Sequence, residues 1–213
     1  MKNALLFWGG WDGHKPQRTA ELLAEQLQQH GFATTLSDSL EVLTDADALR
    51  RYSLIVPCWT MGDLTKDQGL GLQNAIKAGA GLGGIHGGMG DAFRGNIDYE
   101  WMVGGHFVGH PYIGKYEIRI INIDHPITEG VPPVFDYESE QYYLMIDPSI
   151  EILAETTYEF EGRKITMPVA WTKHWGLGRI FYASYGHQPE EFGRFPSALA
   201  LATRGLLWAS GSL

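Results

Sequence analysis

The sequence predicts an α/β fold, a three-layer sandwich in which a mainly parallel sheet is extended by antiparallel strands. Two patterns predict it. In the first half, short apolar runs alternate with amphipathic helical stretches, as in a parallel sheet covered on both faces. From residue 116 onward the apolar runs are longer, which favours antiparallel strands added to the same sheet. A length of 213 residues, 44% of them hydrophobic, suits one domain over residues 1–213 and is short for two.

The first half contains four predicted strands and two predicted helices. The strands are the apolar runs at residues 4–8, 32–36, 54–57 and 81–85. Helical periodicity over residues 18–30 places Leu23 and Leu27 on one face, and Gly31 ends that helix. Residues 65–78 form the second helix, with Thr65 as its N-cap.

In the second half, the apolar runs predict four longer strands and a last helix. The strands cover residues 116–123, 150–155, 165–171 and 179–185. The helix covers residues 197–208 and is rich in Ala and Leu. No internal repeat, low-complexity segment or long linker interrupts the chain, so we expect one hydrophobic core.

The most unusual local feature is a histidine between two glycine pairs. The run AGLGGIHGG (80–88) ends the fourth predicted strand and brackets His86 with residues that are free in φ and ψ. Such a segment can form the sharp strand-to-helix turn on which α/β hydrolases carry a nucleophilic Ser or Cys. Imidazole at that position suits proton transfer or metal ligation better than acyl transfer. A structural interpretation, in which His86 only hydrogen-bonds a loop carbonyl, stays open.

Other predicted strands also end in histidine or tryptophan. In open α/β sheets, ligands bind beyond the carboxyl ends of the strands. The first strand leads to His14 and the last to His187, so these two histidines are predicted to converge on His86. Trp11 and Trp59 follow the first and third strands. His14 has a second interpretation, as a residue that precedes and caps the first helix.

Two further histidines, His106 and His110, lie in a glycine-rich segment after the fourth strand. They are four residues apart, which is the spacing of helical zinc pairs. The surrounding glycines and Pro111 argue against a helix here, so the spacing alone does not predict a metal site.

The composition excludes several classes of partner. A net charge of −9 and the absence of a basic run argue against nucleic acid and against an anionic membrane, and favour a neutral, polar small molecule. No GxGxxG motif and no Walker lysine follow the first strand, so no nucleotide cofactor is expected. The first apolar run is too short for a signal peptide or a membrane span. One cysteine, Cys58, is consistent with a reducing compartment, and we expect a cytoplasmic protein.

A set of short motifs carries a family resemblance. In chain order they are GIHG (84–87), GG with Phe107 (104–107), GHP (109–111), DHP (124–126), PVAW (168–171), GRIFY (178–182) and GHQPE (186–190). With these motifs the chain resembles the ThuA family of trehalose-utilisation proteins, which has the flavodoxin-like, class I glutamine amidotransferase-like fold. The match runs in order over nearly the whole chain.

The resemblance also implies roles for particular residues. His86 occupies the sharp strand-to-helix turn, or elbow, at which glutamine-hydrolysing enzymes of this fold carry Cys. Amidotransferase chemistry is therefore not expected. The same enzymes carry a histidine with an acidic partner after a late strand, and His187 and Glu190 resemble this pair. A carboxylate before an aromatic pair recurs in the family and matches Glu140. The resemblance implies a role in disaccharide or glucoside breakdown, in association with oxidoreductases that make 3-keto sugars.

The first function hypothesis is an enzyme acting on a sugar or keto-sugar. His86, His110 and Glu140, with His187 as a further candidate, would hold one divalent metal or share proton transfer, and imidazole with carboxylate suits Zn²⁺, Mn²⁺ or Fe²⁺. The metal would polarise a substrate carbonyl for an isomerase- or lyase-type reaction. Without a metal, His86 would act as base and His187, oriented by Glu190, as acid.

The second hypothesis is a sugar-binding module without turnover. Six aromatic residues would supply apolar platforms for the sugar faces, namely Trp8, Trp11, Trp59, Tyr142, Tyr143 and Trp171. His14 would hydrogen-bond a sugar hydroxyl. The apolar last helix and exposed aromatic residues are also compatible with a homo-oligomer.

Overall fold

The computed structural model describes residues 1–213 and contains nine strands and seven helices. The strands are β1 (Lys2–Gly10), β2 (Phe32–Ser37), β3 (Leu54–Thr60), β4 (Gly81–Ile85), β5 (Gly105–Ile120), β6 (Val134–Ile146), β7 (Glu151–Phe160), β8 (Arg163–Trp175) and β9 (Gly178–Ala183). The helices are α1 (Pro16–Gln29), α2 (Ala46–Leu49), α3 (Lys66–Lys77), α4 (His86–Gly90), α5 (Ile97–Val103), α6 (Glu191–Arg194) and α7 (Pro196–Ala209). All the predicted strands and helices are therefore present, and β6 is an addition.

All nine strands form one sheet, in the order β2-β1-β3-β4-β9-β8-β7-β5-β6. The five strands from β2 to β9 in this order pair in parallel. From β9 to β6 every pairing is antiparallel. We predicted a mainly parallel sheet extended by antiparallel strands. Both parts are present, but the antiparallel part is larger than predicted, because it has as many strand pairings as the parallel core.

Helices cover both faces of the parallel core, which gives the predicted three layers. On β1, Ala4 and Leu6 belong to the apolar cluster that contains α1 and α7. Leu5 and Phe7 belong to the second cluster, which contains residues of α3 and α5. Because successive strand residues point to opposite faces, a strand buried on both sides reads as a continuous apolar run. This burial explains why the sequence predicts the parallel strands well.

The main error of the sequence prediction lies in β5 and β6. We predicted a strand over residues 116–123, but β5 begins at Gly105 and includes Pro111. Register shifts on either side of Gly109 absorb the glycine and proline that indicate a loop in the sequence. β6 lies at the edge of the sheet, and eight of its thirteen residues are exposed or partly exposed, so it has no continuous apolar run.

The last helix, α7, packs within its own chain. Leu201 and Leu206 are fully buried in the cluster formed with α1 and the sheet. The apolar character of α7 is therefore explained by this core and gives no argument for a homo-oligomer. None of the helices combines the length and the apolar composition that a membrane-spanning segment needs.

The close approach of α7 to the sheet depends on Gly205. A Cβ at this position would overlap the ring of the fully buried Phe181 on β9. We predict that Gly205→Ala destabilises the protein by about 1–3 kcal/mol through overpacking, despite the higher helix propensity of Ala. At this chain length, that corresponds to a fall in melting temperature of about 2–4 °C per kcal/mol, measured by calorimetry or circular dichroism.

Gly193 in α6 supplies a matched control, since a Cβ there meets no atom within 4 Å. Gly193→Ala is expected to leave the melting temperature unchanged or to raise it slightly. Equal melting temperatures for the two variants would contradict the packing argument.

Candidate functional site: a three-histidine, one-carboxylate cluster

Four side chains meet above the carboxyl ends of the parallel strands: His14, His86, Glu140 and His187. One nitrogen or oxygen atom of each lies within 4.8 Å of the others. His14 follows β1, His86 follows β4 and His187 follows β9, so the parallel core supplies the three histidines. Glu140 comes from the middle of β6, at the far edge of the sheet. The convergence of the three histidines is the one that their strand ends predict.

His86 lies at a sharp turn between β4 and α4, as the bracketing glycines predict. Its φ of +46° lies in the left-handed region, which is uncommon for a residue with a side chain. The following residues must be small, because a Cβ on Gly87 would overlap the ring of His14. A Cβ on Gly88 would lie 3.1 Å from the Cα of Cys58, which is itself buried. The elbow therefore brings the backbone of α4 directly against His14.

His86 does not project into solvent over the sheet, since only 1% of its surface is exposed. Its Nδ1 lies 2.9 Å from the carbonyl oxygen of Ser184. A carbonyl only accepts hydrogen bonds, so Nδ1 donates and, in a neutral ring, Nε2 carries the lone pair. That Nε2 lies 3.3 Å from Oε2 of Glu140 and has no hydrogen-bond partner. Two lone pairs thus face each other unless a proton or a cation lies between them.

Glu140 also faces two further histidines. Its Oε2 lies 3.4 Å from Nδ1 of His187, and its Oε1 lies 3.6 Å from Nε2 of His110. Burial alone would raise the pKa of Glu140, but the contacts with His187 and His86 outweigh it and hold this pKa well below 4.5. The same contact with the Glu140 carboxylate raises the pKa of His187 above 6.5. The two shifts together favour an anionic Glu140 beside a protonated His187.

His14 is held neutral by its surroundings. Its Nδ1 lies 2.7 Å from the hydroxyl oxygen of Thr60, at the end of β3. Burial, together with the nearby His86 and His187 imidazoles, lowers the pKa of His14 to about 3. A neutral imidazole is the form that binds metal ions. The interpretation of His14 as a mere helix cap is not supported by a side-chain cap, because Lys15 is the N-cap of α1.

The donor set of the cluster fits a divalent metal ion. Three imidazoles and one carboxylate are ligands that Zn²⁺, Mn²⁺ and Fe²⁺ share. Bonds of about 2.0–2.1 Å place tetrahedral ligand atoms about 3.4 Å apart, which agrees with the distances from Glu140 to His86 and His187. His86 Nε2 and His187 Nδ1 are buried and have no hydrogen-bond partner within the protein. The bond from His86 Nδ1 to a carbonyl is also the usual support of a metal-binding histidine.

His110 lies next to this cluster and is not one of its four members. Its side chain is 39% exposed, lies beside the ring of Phe107 and approaches the cluster only at Oε1 of Glu140. It comes from β5, whose segment around Pro111 is extended and not helical. The predicted metal set of His86, His110 and Glu140, with His187 as a further candidate, therefore differs from the observed cluster in two residues: His14 belongs to it and His110 does not.

Glu190 does not orient His187. Its side chain is 64% exposed and pairs with Lys15 at 3.1 Å, whereas His187 contacts Glu140. The neighbouring Glu191 is the buried member of the acidic pair, and it accepts hydrogen bonds from Tyr137 and Ser139 on β6. Two adjacent glutamates look alike in the sequence, and only the direction of α6 decides which one is buried.

The predicted aromatic platforms occupy different environments. Trp171 is fully buried and donates its Nε1–H to the carbonyl of Val103, so it belongs to the core and cannot contact a ligand. Trp59 packs its ring over Gly9 and Gly62. Trp11 is half-exposed, and its ring centroid lies 4.7 Å from that of His14.

Tyr142 is a buried part of the site. Its ring stacks on His86 with a centroid distance of 4.0 Å. Its hydroxyl has no hydrogen-bond partner within the protein, and burial raises its pKa well above 10.0, so it keeps its proton at neutral pH. It therefore offers a donor beside the cluster rather than an exposed apolar platform.

Sequence reasoning missed Thr60, Ser184 and Glu191. Thr60 follows Trp59 at a strand end that we had already singled out, so its position carried a usable signal. Ser184 acts through its backbone carbonyl, for which no sequence signal exists. The sequence shows that Glu191 belongs to an acidic pair, but it does not show that Tyr137 and Ser139 on β6 donate hydrogen bonds to it.

Comparison with known proteins identifies relatives of the whole chain. The family model described as ThuA, trehalose utilisation, matches residues 3–209. A comparison with curated protein sequences gives no match.

Solved structures with the same fold include three bacterial proteins. A putative ThuA-like protein from Bacteroides uniformis has a TM-score of 0.78 at 17% identity, covering 98% of this chain and 91% of that one. A second putative ThuA-like protein, from Parabacteroides merdae, has a TM-score of 0.78 at 18% identity, with coverages of 98% and 90%. A protein of Salmonella typhimurium described as cytoplasmic has a TM-score of 0.64 at 14% identity, with coverages of 100% and 98%.

The neutral state of His14 predicts a pH dependence of stability. Below pH 6.5 the unfolded chain protonates this histidine, while the folded chain does so only near pH 3. The free energy of unfolding should therefore fall with decreasing pH, by about 2 kcal/mol between pH 6.5 and pH 5 from this group alone. We predict that His14→Gln reduces this fall, measured by urea denaturation of chelator-treated protein.

The chosen pH window separates His14 from its neighbours. Because the folded-state pKa of His187 is raised, its stabilising contribution is complete below pH 6.5 and is lost only as the pH rises above it. The contribution of Glu140, whose pKa is lowered, is complete above pH 4.5 and is lost below it. His30→Gln, at an exposed helix end, is the control and should follow the wild type. Parallel curves for His14→Gln and wild type would contradict the prediction.

Proposed function

The chain belongs to the ThuA family, described as trehalose utilisation, and from that premise we propose that it is an enzyme acting on a disaccharide, a glucoside or its 3-keto derivative. The proposed reaction is metal-assisted proton transfer of the isomerase or lyase type. One observation carries the proposal: His86 Nε2 is buried, has no hydrogen-bond partner within the protein and lies 3.3 Å from a carboxylate oxygen of Glu140. Maintaining this arrangement is costly for a protein that binds nothing there, because buried polar atoms are normally hydrogen-bonded.

We propose that His14, His86, Glu140 and His187 hold one divalent ion, Zn²⁺, Mn²⁺ or Fe²⁺. When bound, such an ion polarises a substrate carbonyl and stabilises the negative charge that develops on its oxygen. No nucleotide cofactor is part of this proposal. Ser184 and Thr60 would fix the rings of His86 and His14 through their second nitrogens.

The remaining polar groups suit proton movement beside a substrate. His110 stands at the open side of the cluster, in contact with the outer oxygen of Glu140, and would accept a proton from the carbon next to the polarised carbonyl. The hydroxyl of Tyr142 would donate a hydrogen bond to a substrate oxygen. Trp11, half-exposed beside His14, would cover an apolar face of the sugar ring.

The proposed partner is a neutral, polar small molecule in the cytoplasm. A net charge of −9 disfavours nucleic acid and anionic membranes as partners. The alternative, a sugar-binding module without turnover, loses support because Trp171 is buried in the core and cannot be a sugar platform.

Metal binding is the direct test of this proposal. Protein purified without an affinity tag should contain close to one equivalent of a divalent metal by elemental analysis. After chelation, calorimetric titration with Zn²⁺ or Mn²⁺ should show that alanine at any of the four cluster positions weakens affinity at least about tenfold. Affinity should also fall steeply between pH 7 and pH 5, since histidine binds metal only when neutral.

Two further variants, His110→Ala and its control His174→Ala, test the proposed role of His110. His110→Ala should keep the metal and lose turnover of keto-sugars, whereas His174→Ala, in the polar end of β8, should change neither. Equal metal affinities in wild type and all four cluster variants would leave the histidines as sugar contacts. In that case the binding-module interpretation would replace the enzyme.

A further inference from the structure

We infer that Glu191 is a positioning residue that holds the strand carrying Glu140 against the loop carrying His187. This inference rests on the proposed function, because it explains how two members of the proposed metal site, Glu140 and His187, are kept at a fixed distance. It assigns a role to a buried carboxylate that contacts none of the four cluster side chains within hydrogen-bonding distance.

The hairpin formed by β5 and β6 has only a short backbone ladder to the rest of the sheet. β5 and β6 pair along most of their length, but β5 joins β7 only through Arg119 with Glu155 and Ile120 with Ala154. β6 is the edge strand, with no partner on its other side. The middle of β6, where Glu140 lies, therefore depends on side-chain bonds for its position, and one set joins the neighbouring Gln141 to Thr156 and Thr157 on β7.

Glu191 supplies a further anchor, which joins β6 to the segment after β9. It is 8% exposed and accepts two hydrogen bonds, from the Tyr137 hydroxyl at 2.7 Å and from the Ser139 hydroxyl at 2.8 Å. Each carboxylate oxygen receives one of them. Because side chains alternate along a strand, Tyr137 and Ser139 face away from Glu140. Glu191 thus holds the strand from the opposite face and leaves the Glu140 carboxylate free.

The other end of this anchor is the His187 loop. The Glu191 N–H donates to the carbonyl of Gln188 at 3.1 Å, which closes the turn directly after His187. One residue therefore connects the turn after His187 to the strand that presents Glu140, and these two side chains lie 3.4 Å apart.

The chemistry of the anchor also favours a geometric role. A buried carboxylate is costly unless its oxygens are hydrogen-bonded, and no Lys or Arg pairs with Glu191. Replacing a buried charged group by apolar packing is often neutral or stabilising. An apolar side chain could fill this space, but it could not set the position of β6 through two directional bonds.

The test compares three variants in the full-length protein. Glu191→Ala removes both bonds, and Glu191→Gln keeps the shape and can still bond both hydroxyls. Asp147→Ala is the matched control, because Asp147 is also a hydrogen-bonded carboxylate after β6 but pairs with Lys173, away from the cluster. We expect Glu191→Ala to weaken Zn²⁺ affinity at least about tenfold by calorimetry, Glu191→Gln to restore most of it, and Asp147→Ala to leave it unchanged.

Wild-type affinity in Glu191→Ala would overturn the inference. So would an equal loss of affinity in Asp147→Ala at an equal loss of melting temperature, because the effect would then be general destabilisation. If the wild type itself binds no metal, the proposed function fails separately, and histidine-ring NMR spectra of the apo-protein decide the inference. Glu191→Ala should then shift the His187 ring signals and leave those of His125 unchanged, and unshifted His187 signals would overturn it.

Discussion

The arrangement of the site depends on the contact between the Glu140 carboxylate and the imidazole nitrogens around it. One carboxylate oxygen faces both His86 and His187, and the other faces His110. A carboxylate removed from bulk water requires compensating partners, and an imidazole nitrogen with a lone pair cannot compensate it without a proton or a cation. A proton on His187, which the raised pKa of this histidine favours, would satisfy part of this requirement. A divalent ion would satisfy all of it.

This contact exists because two kinds of sheet meet in one structure. A parallel sheet presents all its carboxyl ends at one edge, so the loops after β1, β4 and β9 bring their histidines together without long excursions. A carboxylate facing these histidines must come from outside the parallel part. The antiparallel hairpin of β5 and β6 supplies it, by extending over sixteen residues in β5 and returning along the edge strand.

The elbow after β4 shows how a common geometry serves a different chemistry. The positive φ of His86 and the small residues after it are the features that expose a nucleophile in hydrolases. Here the same turn buries an imidazole and fixes its Nδ1 on the Ser184 carbonyl. The close approach of Gly87 to His14 then joins the first and fourth strand ends. ThuA-like structures at 17–18% identity retain the overall fold, which indicates that the fold tolerates wide changes in sequence.

The sequence by itself determined the parallel core, the elbow and the meeting of His14, His86 and His187. Apolar runs buried on both faces are readable along the chain, and strand ends of a parallel sheet must lie at one edge. Only the tertiary structure decided that Glu191, and not Glu190, is buried, that Trp171 belongs to the core, and that His110 stands outside the cluster. These outcomes depend on how an edge hairpin with bulges docks on the sheet. Local sequence carries no signal for that docking, because the contacts that set it join residues far apart in the chain.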